Sequence, residues 1–186
     1  MIKKFLNLGY QPLANSYLRK KQINKKEKKF KLEIVFNDKN FLVSINKKIP
    51  TKEMFNSDYP YRSSLSKTMM KSFKNISSTI KKKFNPKFII EIGSNDGAFL
   101  FNFNKKNIIG IEPCKNVAKI TKQKKYKTID KYWTKSLARS LTKNNNCDLI
   151  YSANTLSHIE NLKETFGAIN LALSKNGVLI LEGPAL

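Results

Sequence analysis

Between residues 30 and 46 apolar and polar positions alternate. Leu32, Ile34 and Phe36 share one face, and Phe41, Val43 and Ile45 follow after the polar run Asn37-Asp38-Lys39-Asn40. A period of two broken by a polar turn predicts a β-hairpin. The period then lengthens: Met69, Phe73, Ile76, Ile80 and Phe84 recur at three- and four-residue steps. This predicts an amphipathic helix over residues 66 to 84 that ends before Pro86. From residue 87 short apolar runs alternate with helical stretches. The runs are Phe88 to Ile92, Ile108 to Ile111, Asp148 to Tyr151 and Gly177 to Leu181, with a weaker strand at Lys127 to Ile129. Helices are expected at Gly97 to Asn104, Asn116 to Lys124, Thr134 to Lys143 and Leu162 to Ser174. Continuous apolar strands separated by helices specify an α/β fold, a parallel sheet covered on both faces. The expected organisation is a small N-terminal unit (1–64), a bridging helix (65–86) and an α/β domain (87–186).

Composition narrows the classes. The chain has 186 residues, 40% of them hydrophobic, which can support a core and argues against global disorder. No apolar run reaches membrane-spanning length, and Met1-Ile2-Lys3-Lys4-Phe5 lacks the apolar stretch of a signal peptide. The expectation is a cytoplasmic protein with no membrane partner. The net charge of +23 invites a nucleic-acid reading. Only Arg19, Arg62 and Arg139 among the 36 basic residues are arginine, however, and lysine is a poor bidentate reader of bases and phosphates. A solvated basic surface is therefore preferred over a nucleic-acid face. Cys114 and Cys147 do not have C-x-x-C spacing and read as buried, reduced thiols.

The chemistry concentrates in the turn Glu91-Ile92-Gly93-Ser94-Asn95-Asp96-Gly97, between the first strand of the α/β region and its expected helix. Glycines permit tight turning and close ligand approach, and a helix starting near Gly97 would aim free N–H groups into the loop. The spacing is E-x-G-x-x-x-G, not the G-x-G-x-x-G of pyrophosphate binders, and suits the aminocarboxypropyl tail of S-adenosyl-L-methionine (SAM). Glu112, ending the second strand, can accept the ribose hydroxyls. The expected cofactor residues are Glu91, Gly93, Ser94, Asn95, Gly97 and Glu112, with Asn154 after the fourth strand.

These residues resemble the sugar C-methyltransferase family, SAM-dependent enzymes that methylate a carbon of nucleotide-linked deoxyketosugars. Leu8-Gly9-Tyr10-Gln11-Pro12-Leu13-Ala14-Asn15-Ser16 resembles its N-terminal motif, and Asp58-Tyr59-Pro60-Tyr61-Arg62-Ser63-Ser64 its substrate-side tyrosine motif. The 91–97 loop is similar to its SAM loop. Gly110-Ile111-Glu112-Pro113 with Asn116-Val117-Ala118 resembles its second-strand end. The resemblance implies a class I SAM-methyltransferase (Rossmann-like) fold, a nucleotide-sugar substrate, and catalytic roles for Tyr59, Tyr61 and His158. Tyr59 and Tyr61 equally suit packing rings around Pro60. His158, the only histidine, follows the fourth strand, where a structural role is as good a reading. Tyr132-Trp133 could border an adenine or pack in the core. Glu182-Gly183-Pro184 closes the last strand, with no role assigned.

The chain departs from the family twice. The family carries two C-x-x-C pairs that bind a structural zinc. The first has no counterpart here, and the second falls on Asn37-Asp38-Lys39-Asn40, which supplies no thiolate. No zinc or other metal is expected, and the hairpin must rely on its alternating apolar face. The family also has a C-terminal half with a catalytic Glu-His pair, absent here, so an incomplete sheet of five strands and a fragment of a longer protein are expected. A nucleic-acid methyltransferase and a non-catalytic SAM-fold module remain as rival readings. The stretch Ser152-Ala153-Asn154-Thr155 lacks the prolines of amino-methylating nucleic-acid enzymes.

Overall fold

The computed structural model describes residues 1–183; Pro184, named above, lies outside them. The expected hairpin is present. Strand β2 (Lys29–Asn37) pairs antiparallel with β3 (Leu42–Ile45) in the register Ile34 opposite Ile45 and Phe36 opposite Val43. A third strand, β1 (Ile2–Pro12), pairs antiparallel with the other edge of β2, giving the order β1-β2-β3. β1 was not expected. Its register slips between Lys4 and Leu6 and again between Asn7 and Tyr10, so its side chains never settle into one alternation.

The alternating face does not form the expected core. The buried positions of β2 are Glu33 and Val35, while Leu32, Ile34 and Phe36 are half-buried. A carboxylate thus sits near the centre of the small sheet. It accepts from Lys4 Nζ of β1 (2.8 Å) and from Asn46 Nδ2 just beyond β3 (3.1 Å), and Lys31 Nζ lies 3.1 Å away. One side chain therefore ties all three strands. A single helical turn, α1 (Thr51–Met54), closes this unit.

The chain divides into two units between Phe55 and Asn56, nine residues before the expected boundary. The long helix α2 (Lys67–Phe84) is not a bridge; it belongs to the second unit. Ser66 caps it, accepting from the Met69 N–H at 3.2 Å, and Asn85 ends it in a left-handed conformation (φ 42°) before Pro86. Its buried Phe73 and Ile80 join a cluster under one face of a parallel sheet.

That sheet consists, among the described residues, of β4 (Ile89–Ile92), β5 (Ile108–Ile111), β6 (Thr128–Ile129), β7 (Cys147–Ala153) and β8 (Leu173–Glu182). Their order is β6-β5-β4-β7-β8, the doubly wound arrangement with its reversal between β4 and β7. Alternate strand residues serve opposite faces. Ile89, Ile108 and Leu149 pack with α2 residues and with Phe99, whose ring stacks on Tyr151 at 3.8 Å and 17°. Ile90, Ile109 and Ile150 pack on the other face with Trp133 and with α4 (Lys135–Leu141) and α5 (Leu162–Ala172). Trp133 is thus a core residue, as one of its two readings had it. α3 (Lys115–Gln123) follows β5.

One expected helix is missing. Gly97 to Asn104 forms turns and a short 3-10 segment at Leu100–Asn102. Gly97 has φ +90°, outside the helical region, and Asn102 Nδ2 donates to the carbonyls of Ala98 and Phe99, competing with helical N–H groups for those acceptors. Elsewhere the differences are at ends: α5 stops at Ala172 and β8 begins at Leu173, earlier than the patterns suggested.

Candidate functional site

The β4 end, the β5 end and the β7 end meet where the strand order reverses, the place where doubly wound sheets receive ligands. The loop after β4 is shaped by left-handed residues. Gly93 has φ +75°, Asn95 +47° and Gly97 +90°. A Cβ on Gly93 would stand 2.1 Å from Thr155 Oγ1, so only glycine lets the loop approach the segment after β7. Asn154, also left-handed at φ 50°, starts that segment and donates its N–H to the Glu182 carbonyl at 2.8 Å.

Three carboxylates gather here. Glu112, just past β5, is 5% exposed and accepts from the Asn95 N–H at 2.8 Å and the Cys114 N–H at 2.8 Å. Burial raises its pKa, and those two N–H donors partly restrain the rise. Glu91 is buried within β4, and one of its oxygens has no hydrogen-bond partner among the described residues. Its pKa is raised well above the usual carboxylate range, first by desolvation and then by the charges of Glu112 and Asp96. Ser94 Oγ is likewise buried and unpartnered among the described residues. Buried polar groups without partners are uncommon and call for an explanation. A cation-bearing ligand with hydrogen-bond donors would relieve the orphaned carboxylate oxygen and the like-charge crowding together. The expected helix dipole, by contrast, is absent, because the chain after Gly97 is not an α-helix.

The residues read as cofactor ligands are therefore brought together, but with one redistribution. Both ends of the Asn95 side-chain amide are engaged by the segment carrying the tyrosines: Oδ1 accepts from the Ser63 N–H at 2.9 Å, and Nδ2 donates to the Tyr61 carbonyl at 3.2 Å. Asp96 accepts from the Ser64 N–H (3.2 Å) and the Ser64 hydroxyl. Asn116 Nδ2, on α3, donates to the Tyr59 carbonyl at 2.7 Å. The roles of Asp96, Asn116, Ser63 and Ser64 were missed from sequence. Each contact has a small polar side chain at one end and, in all but the Ser64 hydroxyl bond, a backbone group at the other; 32 residues separate Ser63 from Asn95, and nothing local pairs them. Tyr61 is 47% exposed and Tyr59 half-buried. His158 ends a 3-10 turn (Leu156–His158) beyond Asn154 and is exposed, although neighbouring protein lowers its pKa by desolvation and favours the neutral ring.

Both cysteines are buried and reduced. Burial raises the Cys114 thiol far above its ordinary range and pushes Cys147 up to about 12, so neither is a ready nucleophile.

Comparison with known proteins bears on this geometry. Residues 61–186 match the family described as "Methyltransferase domain". The chain belongs to that methyltransferase family. Residues 1–55 match the family described as "Putative zinc binding domain", so both the boundary and the order of the units agree with the structure. The chain is 22% identical to the C-methyltransferase NovU of Streptomyces niveus over 97% of its own length, and spans 44% of NovU. The paired families and this relative agree with the resemblance read from the motifs. A SAM-dependent methyltransferase structure of Archaeoglobus fulgidus has a TM-score of 0.50 at 15% identity, covering 60% of this chain and 53% of its own. A Methanococcus maripaludis structure titled as a putative SAM-dependent methyltransferase has a TM-score of 0.53 at 21% identity, covering 75% of this chain and 67% of its own. These likenesses establish the class I SAM-methyltransferase fold. No helix among the described residues is long and apolar enough to cross a membrane.

The first unit's residues do not fit the metal its family name implies. Residues 1–55 contain neither cysteine nor histidine, the side chains from which structural zinc sites are chiefly built. Asn37 and Asn40, where thiolates would stand, use their side-chain oxygens on their own turn, accepting from the N–H groups of Lys39 (3.0 Å) and Leu42 (3.2 Å). No group of three or more candidate ligands occurs among the described residues.

Proposed function

We propose that this chain binds SAM in the β4–β5–β7 crevice and serves methyl transfer to a carbon of a nucleotide-linked deoxyketosugar. The observation that carries the cofactor half is the orphaned, charge-crowded Glu91 beside Ser94, at the foot of a loop whose Gly93 admits no side chain. SAM carries a sulfonium and an ammonium, and a site with three carboxylates complements both. When bound, SAM supplies an already activated methyl group.

The chain's own residues then have positional roles. Glu112 accepts the ribose hydroxyls while continuing to hold the Asn95 and Cys114 N–H groups, since each carboxylate oxygen has two acceptor directions. Glu91 and Ser94 face the amino-acid tail, and Asn154 borders the same crevice. Tyr59 and Tyr61 lie on the acceptor side as phenol donors that orient a ketosugar. His158, kept neutral by desolvation, is the candidate to take the proton next to the ketone. The relation to NovU, a C-methyltransferase, supports carbon as the acceptor atom. The first unit is proposed to hold no zinc, since its residues offer no thiolate or imidazole.

Calorimetry with S-adenosylhomocysteine tests the cofactor assignment. Binding is expected, with Glu112→Ala weakening it at least about tenfold, because a pair of charge-assisted hydrogen bonds is lost. Binding of a nicotinamide dinucleotide in its place would overturn it. The acceptor is tested with labelled SAM against nucleotide-linked 4-ketosugars and against DNA and RNA; label passing only to nucleic acid would overturn the sugar reading.

A further inference from the structure

The bonds from Asn95, Asp96 and Asn116 to the 59–64 segment lie outside any role assigned above. They have a common form. Each involves a side chain anchored on the cofactor side: Asn95 and Asp96 in the loop after β4, Asn116 in the first turn of α3 after Glu112. The partners are nearly all backbone groups of the tyrosine segment: the Tyr59 and Tyr61 carbonyls and the Ser63 and Ser64 N–H groups. Backbone partners carry no information about the side chains they bear, so these bonds fix where the segment runs. The remaining bond, from the Ser64 hydroxyl, also ends on Asp96. The segment is a coil leading into a short 3-10 turn at Ser63–Leu65, with Tyr61 and Arg62 exposed.

The loop that makes these bonds is in turn fixed by the cofactor acid. Asn95 donates its N–H to Glu112 Oε2 while its side chain holds Ser63 and Tyr61. We propose that Asn95, Asp96 and Asn116 form a strap through which an occupied SAM site orders the Tyr59–Ser64 segment, so that the cofactor binds first and the acceptor second. The three are positioning residues, and Asn95 acts through its backbone on Glu112 and through its side chain on the strap. This inference rests on the reading of Gly93–Gly97 and Glu112 as the cofactor site. Its physical basis is linkage: a ligand that favours one loop conformation stabilises whatever that conformation holds.

The chain supplies its own reporter. It contains three arginines, Arg19 in the first unit, Arg62 within the strapped segment and Arg139 on α4. An arginine-specific protease must lift several residues around its target, so cleavage after Arg62 reads release of the segment, and cleavage after Arg139 reads wider unfolding of the second unit. Asp96→Ala removes the Ser64 contacts, and Asn95→Gly removes the amide while keeping a residue at home at positive φ. Cleavage at Arg62 relative to Arg139 is expected to rise roughly tenfold or more in each variant, with Asp96→Asn recovering part of the protection through its remaining acceptor oxygen. Saturating S-adenosylhomocysteine should slow Arg62 cleavage about fivefold or more in the unaltered chain and not in Asp96→Ala, with binding followed calorimetrically in both. If the ligand binds and Arg62 is not protected, the coupling is overturned. If the ligand does not bind, the cofactor reading fails and the ordered sequence falls with it, while the unliganded variants still decide the strap. Equal Arg62 cleavage in the unaltered chain and in Asp96→Ala and Asn116→Ala would overturn the strap itself.

Discussion

The two units solve the same problem, holding a β-sheet together, with opposite materials. In the second unit the parallel sheet is covered on both faces, and Ile89, Ile90, Phe99, Leu149 and Ile150 are fully buried. In the first unit Ile2, Phe5, Leu8 and Tyr10 of β1 are exposed, and the buried centre of β2 is Glu33 beside Val35. A doubly covered sheet is held by area removed from water, which is non-directional and tolerant of small errors. A thin sheet around a carboxylate is held by directional, charge-assisted bonds, which respond to pH and salt. That contrast teaches why the two halves were unequally readable.

The largest expected effect sharpens it directly. Phe99→Ala removes a 0%-exposed ring stacked on Tyr151 at 3.8 Å and should cost about 3–5 kcal/mol. Phe5→Ala, at 61% exposure, should stay within about 0.5 kcal/mol. Chemical denaturation of both variants checks this, and comparable losses would mean that the first unit has an apolar core of its own.

Two glycines make the next comparison. Gly9 (φ +69°) has nothing within 4 Å of a built Cβ, whereas Gly93 (φ +75°) meets Thr155 Oγ1 at 2.1 Å. Gly9→Ala should cost only backbone strain, about 1–2 kcal/mol at most. Gly93→Ala adds a collision that must move the loop, and should lower S-adenosylhomocysteine affinity by roughly tenfold or more. Calorimetric titration of both variants would show whether the loop truly has no room.

The same contrast governs what could be read in advance. Ile108–Ile111 was legible to the residue because three isoleucines around Gly110 in a buried strand have few alternatives. The loop Glu91–Gly97 and Glu112 were legible because a glycine spacing and a strand-end acid are local features. β1 was not, since two register slips erase its alternation, nor was the burial of Glu33, since its partners Lys4 and Asn46 lie 29 and 13 residues away. The helix expected after Gly97 failed for a local reason with a tertiary trigger: Gly97 takes φ +90° where a Cβ would meet Phe101 and Thr121. The strap was invisible because a hydrogen bond to a backbone group leaves no residue signature at the backbone end.

Two buried glutamates turn the comparison into opposite pH responses. Glu33 is 4% exposed, yet the bonds from Lys4, Asn46 and Lys31 outweigh its small desolvation and hold its pKa down to about 2 from 4.5. Its folded pKa is depressed, so its contribution is present above about 4.5 and is lost as pH falls through about 2. Glu91 is the reverse: its folded pKa is raised, so its contribution is present below 4.5 and is lost as pH rises toward its folded value. Glu33→Gln should therefore flatten the acid limb of the stability profile, and Glu91→Gln the loss of stability that sets in as pH rises above about 4.5. Stability measured from pH 2 to 8 on both variants decides this, and a shared direction would refute the charge assignments.

The smallest expected effect is the removal of metal. A zinc-dependent unit loses its fold when chelated, because the binding free energy of the metal is part of its folding free energy. Residues 1–55 match a family named for zinc, yet they hold no cysteine or histidine. Their acidic residues are Glu27, Glu33, Asp38 and Glu53. Glu33 is taken by Lys4, Lys31 and Asn46, Asp38 by the N-terminal ammonium, and Glu53 by Lys28. At Glu33 and Glu53 a cation would have to displace lysines, and the carboxylates are spread over different elements with none of the soft donors that make zinc sites tight. A strong chelator should therefore leave both the melting temperature and the far-ultraviolet dichroism of the untagged chain unchanged, and metal analysis should find far less than one zinc per chain. High salt, which chelation controls must match, should by contrast loosen the first unit by screening the half-exposed Lys4. A stoichiometric zinc whose removal unfolds residues 1–55 would show that the carboxylate hub is not what holds the small sheet.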